Sequence, residues 1–124
     1  MEKGLKHIST TTVTAANTAL TMGSGDMEVF ATPAMVALME NAAMKAVAPH
    51  LPEGSTTVGA MMQTSHIKPS APGETVTAEA VLQEVDGRKL TCRITAYDAE
   101  GTIGEGIHIR YIVDRERFLS RLKR

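Results

Sequence analysis

An α+β fold, with one buried helix lying on a strongly curved antiparallel sheet, is what the order of hydrophobic periods along this chain predicts. The stretch from Ala34 to Ala48 has no breaker before Pro49 and is apolar nearly all round, interrupted only by Glu40, Asn41 and Lys45. A helix of that kind is buried rather than laid on a surface. After Leu51-Pro-Glu-Gly-Ser55 the hydrophobic period changes from 3.6 to 2, and strands dominate to about residue 113. The 124 residues form one domain, 1–124, with room for a single core.

Each element has a local reason. Residues 8–16, Ile8 to Ala16, are rich in β-branched side chains and lack a helix period, which favours a first strand. A loop is expected at Met22-Gly-Ser-Gly-Asp26. The helix should begin at about Pro33, with Thr32 as its N-cap, because proline suits a first helical position whose N–H has no partner anyway. Strands then follow over 56–67, 75–85, 89–98 and 102–113. Val76, Ala78, Ala80 and Leu82 share one face of the second of these, and Leu90, Cys92, Ile94 and Ala96 one face of the third. Asp86-Gly87 between them is a strong hairpin signal, since a type I′ turn needs positive φ. On the last strand, Ile103, Ile107, Ile109, Tyr111 and Val113 are expected on one side, and the charged tail from Asp114 can be helical. A single curved sheet leaves open edges, which a symmetric dimer extending the sheet edge to edge would cover.

Composition removes several classes of function. Thirteen Lys and Arg against fourteen Asp and Glu leave a net charge of -1, too little positive charge to hold a phosphate backbone, so no nucleic-acid partner is expected. No apolar run approaches the roughly 20 residues of a membrane span, and no apolar segment follows the Met1 start, so neither a membrane partner nor a signal peptide is expected. One cysteine, Cys92, cannot form an internal disulfide or a Cys-rich metal site, which points to a reducing cytoplasm. Cys92 alternates with Leu90 and Ile94 as core filler. No metal-ligand spacing, phosphate-cradling glycine loop or nucleotide fingerprint is present, and no cofactor or metal is expected.

Three residues stand out as candidates for chemistry. Glu40 has only Val36, Ala37, Ala43 and Met44 at three and four positions along its helix, hence no cationic partner on its own helix face. An unpaired buried carboxylate costs several kcal/mol unless it protonates or finds donors, and such a group is suited to general-base work. It would otherwise reach the surface at a helix edge. Thr32 is either an ordinary cap or part of a helix N-terminus whose free N–H groups can receive an oxyanion. His66, at the end of a strand before Lys68-Pro69, can lie at the mouth of the sheet beside the helix, or serve as an ordinary structural histidine. His7, His50 and His108 have nothing to pair with in the sequence. Thr32 and Glu40 are eight residues apart, about 12 Å along a helix, and cannot bond directly within one chain. Either they touch different parts of the substrate, or a two-fold axis brings the Glu40 of one chain near the Thr32 of the other, and a site built at the dimer interface is preferred.

The run Val29-Phe-Ala-Thr-Pro-Ala-Met-Val-Ala-Leu-Met-Glu40 with Ala46-Val-Ala-Pro49, then Val58-Gly59, Thr64-Ser-His66, Val85-Asp-Gly-Arg-Lys-Leu90 and Gly104-Glu-Gly-Ile-His108, resembles the hotdog-fold thioesterases of the fluoroacetyl-CoA thioesterase type over residues 27 to 118. The resemblance implies a homodimer that hydrolyses a short-chain acyl-CoA without a cofactor. It implies Thr32, Glu40 and His66 as the catalytic group, Gly59 as the backbone position near the thioester carbonyl, and Phe30 and Pro33 as further substrate-binding positions. In these roles Thr32 orients the acyl group, Glu40 is base or nucleophile, and His66 shuttles a proton. The fluoroacetyl-CoA enzyme carries phenylalanines before the Val-Phe-Ala-Thr segment, where this chain has Gly23-Ser-Gly-Asp26. A broader or different short acyl group is therefore expected. A hotdog hydratase or dehydratase, and a non-catalytic acyl-CoA-binding module, are the competing readings.

Overall fold

In the computed structural model, which describes residues 1–122, five antiparallel strands form one sheet in the order β1-β3-β4-β5-β2. The elements run β1 Lys6–Thr12, α1 Ala19–Met22, α2 Thr32–Val47, β2 Ser55–Thr64, β3 Thr75–Asp86, β4 Lys89–Asp98, β5 Gly101–Asp114 and α3 Arg115–Ser120. Helix α2 lies across the sheet against β3, β1 and β4. Its Met35, Met39, Ala42, Ala43, Ala46 and Val47 meet Val76, Ala78, Ala80, Leu82, Leu90, Cys92, Ile94 and Ala96 in a closed core. Small alanines on both surfaces let helix and sheet approach closely, while methionine fills the irregular gaps left by so few aromatic rings. Gly104 belongs to the same packing. A Cβ there would collide with the Ser65 carbonyl and sit 2.9 Å from the Met35 sulfur, so only glycine lets β5 pass between helix and β2.

The β3–β4 hairpin turns at Asp86-Gly87 as expected, with Gly87 at φ 62. Three expectations give way elsewhere. Strand β1 ends at Thr12 instead of residue 16, because the Thr14 hydroxyl accepts the Ala16 N–H and Asn17 Oδ1 accepts the Thr14 N–H, giving the backbone a turn in place of a ladder. A one-turn helix, α1, then occupies 19–22, capped by Thr18 and closed by Gly23 at φ 78. Ala31, not Thr32, is the N-cap of α2. On β5 the expected aliphatic face is not the inner one beyond Ile103: His108 and Arg110 are buried, whereas Ile107 and Ile109 are half-buried and Tyr111 is exposed. Two polar side chains can occupy the interior there because they satisfy one another.

Helix α2 is also less enclosed than its composition suggests. Pro33, Ala37 and Ala48 are exposed, and Val36, Glu40, Asn41 and Met44 only half-buried, so one apolar flank lacks a cover among the described residues. Strand β2, a sheet edge, exposes Gly59, Ala60 and Met61 and carries an irregularity between Gly59 and Met61.

Candidate active site

Thr32 and His66 meet directly. The ladder between the β2 strand and β5 continues past Thr64 through Ser65 N–H to Glu105 O at 3.1 Å and Ile67 N–H to Ile103 O at 2.7 Å, which holds His66 on an extension of the strand beside the start of α2. The helix start is pinned in turn by Phe30 N–H to Ser70 O and Ala31 N–H to Asn17 O, both 2.9 Å. With capping left to Ala31, the Thr32 hydroxyl is free of helix duties and lies 2.7 Å from His66 Nδ1. Burial holds the His66 imidazole below its ordinary 6.5, against an upward pull from the Lys68 backbone. Its Nε2 is buried with no hydrogen-bond partner among the described residues. A neutral imidazole accepting the Thr32 O–H through Nδ1 is the arrangement that activates a hydroxyl nucleophile. A cleft of about 270 Å³ opens over the pair, lined by Ala19, Ser24, Val29, Phe30, Thr32, His66, Ile67, Lys68 and Pro69.

Glu40 belongs to a second cluster on the same chain. A Cβ added to Gly59 would lie 2.8 Å from Glu40 Oε2, 3.3 Å from His108 Cε1 and 3.4 Å from Arg110 Nη1, so these groups converge on the glycine. His108 Nδ1 lies 2.8 Å from the Met61 carbonyl, and Nε2 lies 3.1 Å from Arg110 Nη1. A carbonyl can only accept and a guanidinium can only donate, which makes His108 a neutral ring protonated on Nδ1. Burial lowers its pKa in the same sense. Arg110 also donates to Thr57 Oγ1 at 2.8 Å and Thr57 O at 3.0 Å. Glu40 itself makes no hydrogen bond or ion pair among the described residues. Helix-face reasoning missed its cationic neighbour, because Arg110 comes from β5 and reaches it across Gly59.

A family model described as the fluoroacetyl-CoA-specific thioesterase matches residues 13–116. The chain belongs to the fluoroacetyl-CoA-specific thioesterase family. The fluoroacetyl-CoA thioesterase of Streptantibioticus cattleyicolor is 41% identical over 96 residues, which cover 77% of this chain and 69% of that enzyme. The solved structure of the fluoroacetyl-CoA thioesterase FlK superposes with a TM-score of 0.92 at 33% identity, covering 99% of this chain and 96% of FlK. A mutant FlK solved with fluoroacetate and CoA gives 0.89 at 35% identity, covering 95% of this chain and 99% of that one. A Thermus thermophilus thioesterase superfamily member gives 0.89 at 30%, covering 98% and 93%. The helix on a curled sheet is thus the hotdog fold.

Within this thioesterase framework the expected site residues fall into different places. Thr32, His66 and Phe30 share the cleft. Pro33 is exposed and outside its lining, and Gly59 stands with Glu40 in the other cluster. His108 and Arg110 were missed. The signal available for them was a His-x-Arg pair on alternate positions of a strand, which puts both side chains on one face. Behind the cleft, the buried Asp98 carboxylate accepts Lys68 Nζ at 2.7 Å, Ser70 Oγ at 2.9 Å and the Glu100 N–H at 2.9 Å, tying down the segment that follows His66. Those contacts, the Lys68 bond foremost, hold Asp98 down at about 2. Burial pushes the Cys92 thiol up to about 11, in keeping with a core residue. Residues 22 to 28 are exposed and Met27 is their largest apolar side chain, at 65% exposure.

Proposed function

We propose that this protein is a homodimeric acyl-CoA thioesterase for short acyl groups, with Thr32 and His66 as its reacting pair. The 2.7 Å contact between Thr32 Oγ1 and His66 Nδ1 carries the reading. The Thr32 oxygen attacks the thioester carbonyl as its proton passes to Nδ1. The C–S bond breaks, the CoA sulfur takes that proton, and a water deprotonated by the same imidazole hydrolyses the acyl-threonine ester. The unpartnered His66 Nε2 lacks the orienting group that such a base normally has. Glu40, which has no hydrogen bond or ion pair among the described residues, supplies it from the other protomer. Antiparallel pairing of the β2 edges about a two-fold axis carries the Glu40–Gly59 cluster of one protomer toward the Thr32–His66 pair of its partner, and covers the open flank of α2. In that arrangement the Gly59 backbone faces the thioester carbonyl and the Arg110 guanidinium forms the opposite wall.

A second mechanism has one observation in its favour. A Glu40 carboxylate free of hydrogen bonds could deprotonate water or attack the carbonyl itself, with Thr32 only orienting the acyl group. Trapping an acyl group on Thr32 by mass spectrometry after rapid quench separates the two. The cytoplasm suits a chain whose single cysteine is buried; no helix among the described residues is long and apolar enough to cross a membrane.

Thiol release from a panel of acyl-CoAs tests the activity. Short saturated acyl-CoAs should release CoA. Acetyl- and fluoroacetyl-CoA should differ in kcat/KM by less than about a thousandfold, since Gly23 to Asp26 offers no aromatic cover. Crotonyl-CoA changed without thiol release would point to a hydratase, and acyl-CoAs bound but unchanged to a binding module.

A further inference from the structure

The far end of the sheet holds a small basic cleft that the chemistry above does not use. Where β5 runs into α3, a cavity of about 90 Å³ is lined by Arg88, Val113, Asp114, Arg117, Phe118 and Arg121. Arg88 comes from the β3–β4 hairpin and the other two arginines from α3 and its end, so three guanidinium groups from two separate elements converge on one hollow. None has a carboxylate within 4.0 Å among the described residues, although Arg93 and Lys68 each do. The one acid in the cleft, Asp114, is engaged with the Arg117 backbone N–H at 2.9 Å as the cap of α3. A chain of net charge -1 that gathers unpaired arginines in one place creates a local positive field, and guanidinium groups match phosphate oxygens in pairs. Phe118, 38% exposed in the same lining, offers a ring face on which a purine can stack.

The position of this cleft says whose substrate it serves. Along β2, Ser55 pairs with Asp114 at one end and Thr64 with Gly106 at the other. Ten residues of strand separate the ends by roughly 30 Å, which sets the arginines far from the Thr32–His66 cleft of their own chain. Antiparallel pairing of two β2 edges reverses the relation, since the Ser55 end of one protomer then runs beside the Thr64 end of the other. We propose that Arg88, Arg117 and Arg121 of one protomer bind the phosphorylated adenosine end of the acyl-CoA whose thioester lies at Thr32 and His66 of its partner, with Phe118 against the adenine. The assignment rests on the thioesterase reading and extends it to the part of the substrate remote from the bond that is cut.

The test uses the full chain and the double variant Arg117→Gln/Arg121→Gln, whose changes lie on exposed positions of α3 and its end. Acetyl-CoA is compared with acetyl-pantetheine, which has the same thioester and no nucleotide. For acetyl-CoA the double variant should raise KM roughly tenfold to a hundredfold, the range for losing hydrogen bonds to a charged group, with kcat held. For acetyl-pantetheine KM should stay put. An unchanged KM for acetyl-CoA, or an equal rise for both thioesters, overturns the assignment. Calorimetric titration with adenosine 3′,5′-bisphosphate reads the cleft independently of turnover. Binding by the wild type that the double variant loses supports the subsite even if no thioester is hydrolysed, in which case the thioesterase reading alone has failed. Absence of binding in the wild type overturns the subsite whatever the activity.

Discussion

Two polar clusters flank helix α2, and they differ in how completely their hydrogen bonds are spent. Around His108 and Arg110, both ring nitrogens, the guanidinium and both oxygens of Thr57 are engaged within one chain. At Thr32 and His66 a single short bond joins two groups, and the second ring nitrogen is buried with no hydrogen-bond partner among the described residues. A closed network fixes a shape, whereas an open one has capacity left for substrate, water or a second protomer. Glu40 stands beside the closed network yet takes no bond from it among the described residues, and in the proposed mechanism it works with the open one. The difference separates residues that build the site from residues that act in it, and each can be broken without the other.

The largest effect should come from the open pair. His66→Asn removes the proton acceptor and should lower kcat by about a hundredfold to ten-thousandfold by thiol release, the range for a lost general base. Stability should stay within about 0.5 kcal/mol of the wild type by urea unfolding, since the substitution also removes an unsatisfied nitrogen. In the proposed mechanism the working form is neutral imidazole, and burial favours that form. The kcat/KM profile should therefore rise with pH through a midpoint below the ordinary 6.5 and then level off.

The closed network should answer in the opposite currency. Arg110→Met leaves His108 Nε2 and Thr57 without their donor and should cost about 1–3 kcal/mol in the same unfolding experiment. A variant as stable as the wild type would mean that the network is not structural. Between the two lies Gly59→Ala, whose new methyl would meet Glu40 Oε2 at 2.8 Å. A carboxylate on a flexible side chain can swing aside, so the fold should survive with a stability change under about 1 kcal/mol. Turnover should drop about tenfold or more if Glu40 acts from where it stands, a misplacement effect read as kcat at saturating substrate.

The smallest effect concerns the anchor behind His66. Asp98 has its carboxyl at about 2 against an ordinary 3.8, held there mainly by Lys68. A lowered folded-state value contributes stability that is present above the unfolded value and is lost as pH falls from near 3.8 toward 2. Asp98→Asn should flatten that part of the acid-unfolding curve while leaving the neutral-pH kcat/KM midpoint in place. A shifted midpoint would show that the anchor tunes His66 as well as holding its segment.

The same contrast governs what the sequence made legible. Regular pattern carried far: the Pro33 start, the Pro49 stop, the Asp86-Gly87 turn and the alternating faces of β3 and β4 follow from local rules that the core then reinforces. Rules failed where side chains bond to distant or neighbouring backbone. Thr14 and Asn17 cut β1 short through bonds only a few residues long, and the cap of α2 moved to Ala31, where the Asn17 carbonyl takes its N–H. The inward turn of His108 and Arg110 contradicted hydrophobic period altogether, because Thr57, more than fifty residues earlier, supplies acceptors for the guanidinium. At the site, Glu40, Thr32 and His66 stood out as candidates from helix and strand position, and resemblance to a thioesterase family gave them their implied roles and added Gly59. Their division into two clusters came from tertiary structure, since the pairing of His66 with Thr32 depends on how β2 runs past the helix start.

The central claim is that the two clusters complete one site across a two-fold axis. Mixing inactive Thr32→Ala and Glu40→Gln proteins, after subunit exchange in mild denaturant and refolding, tests it most directly. Random assortment makes half of the dimers mixed. If Thr32 and His66 work with the Glu40 of the other protomer, each mixed dimer contains one intact site and one doubly damaged site, and thiol release should recover to roughly a quarter of the wild-type rate by symmetry. A mixture no more active than its two parents, at a dimer mass confirmed by light scattering, would place all three residues in a site made by one chain and contradict the account.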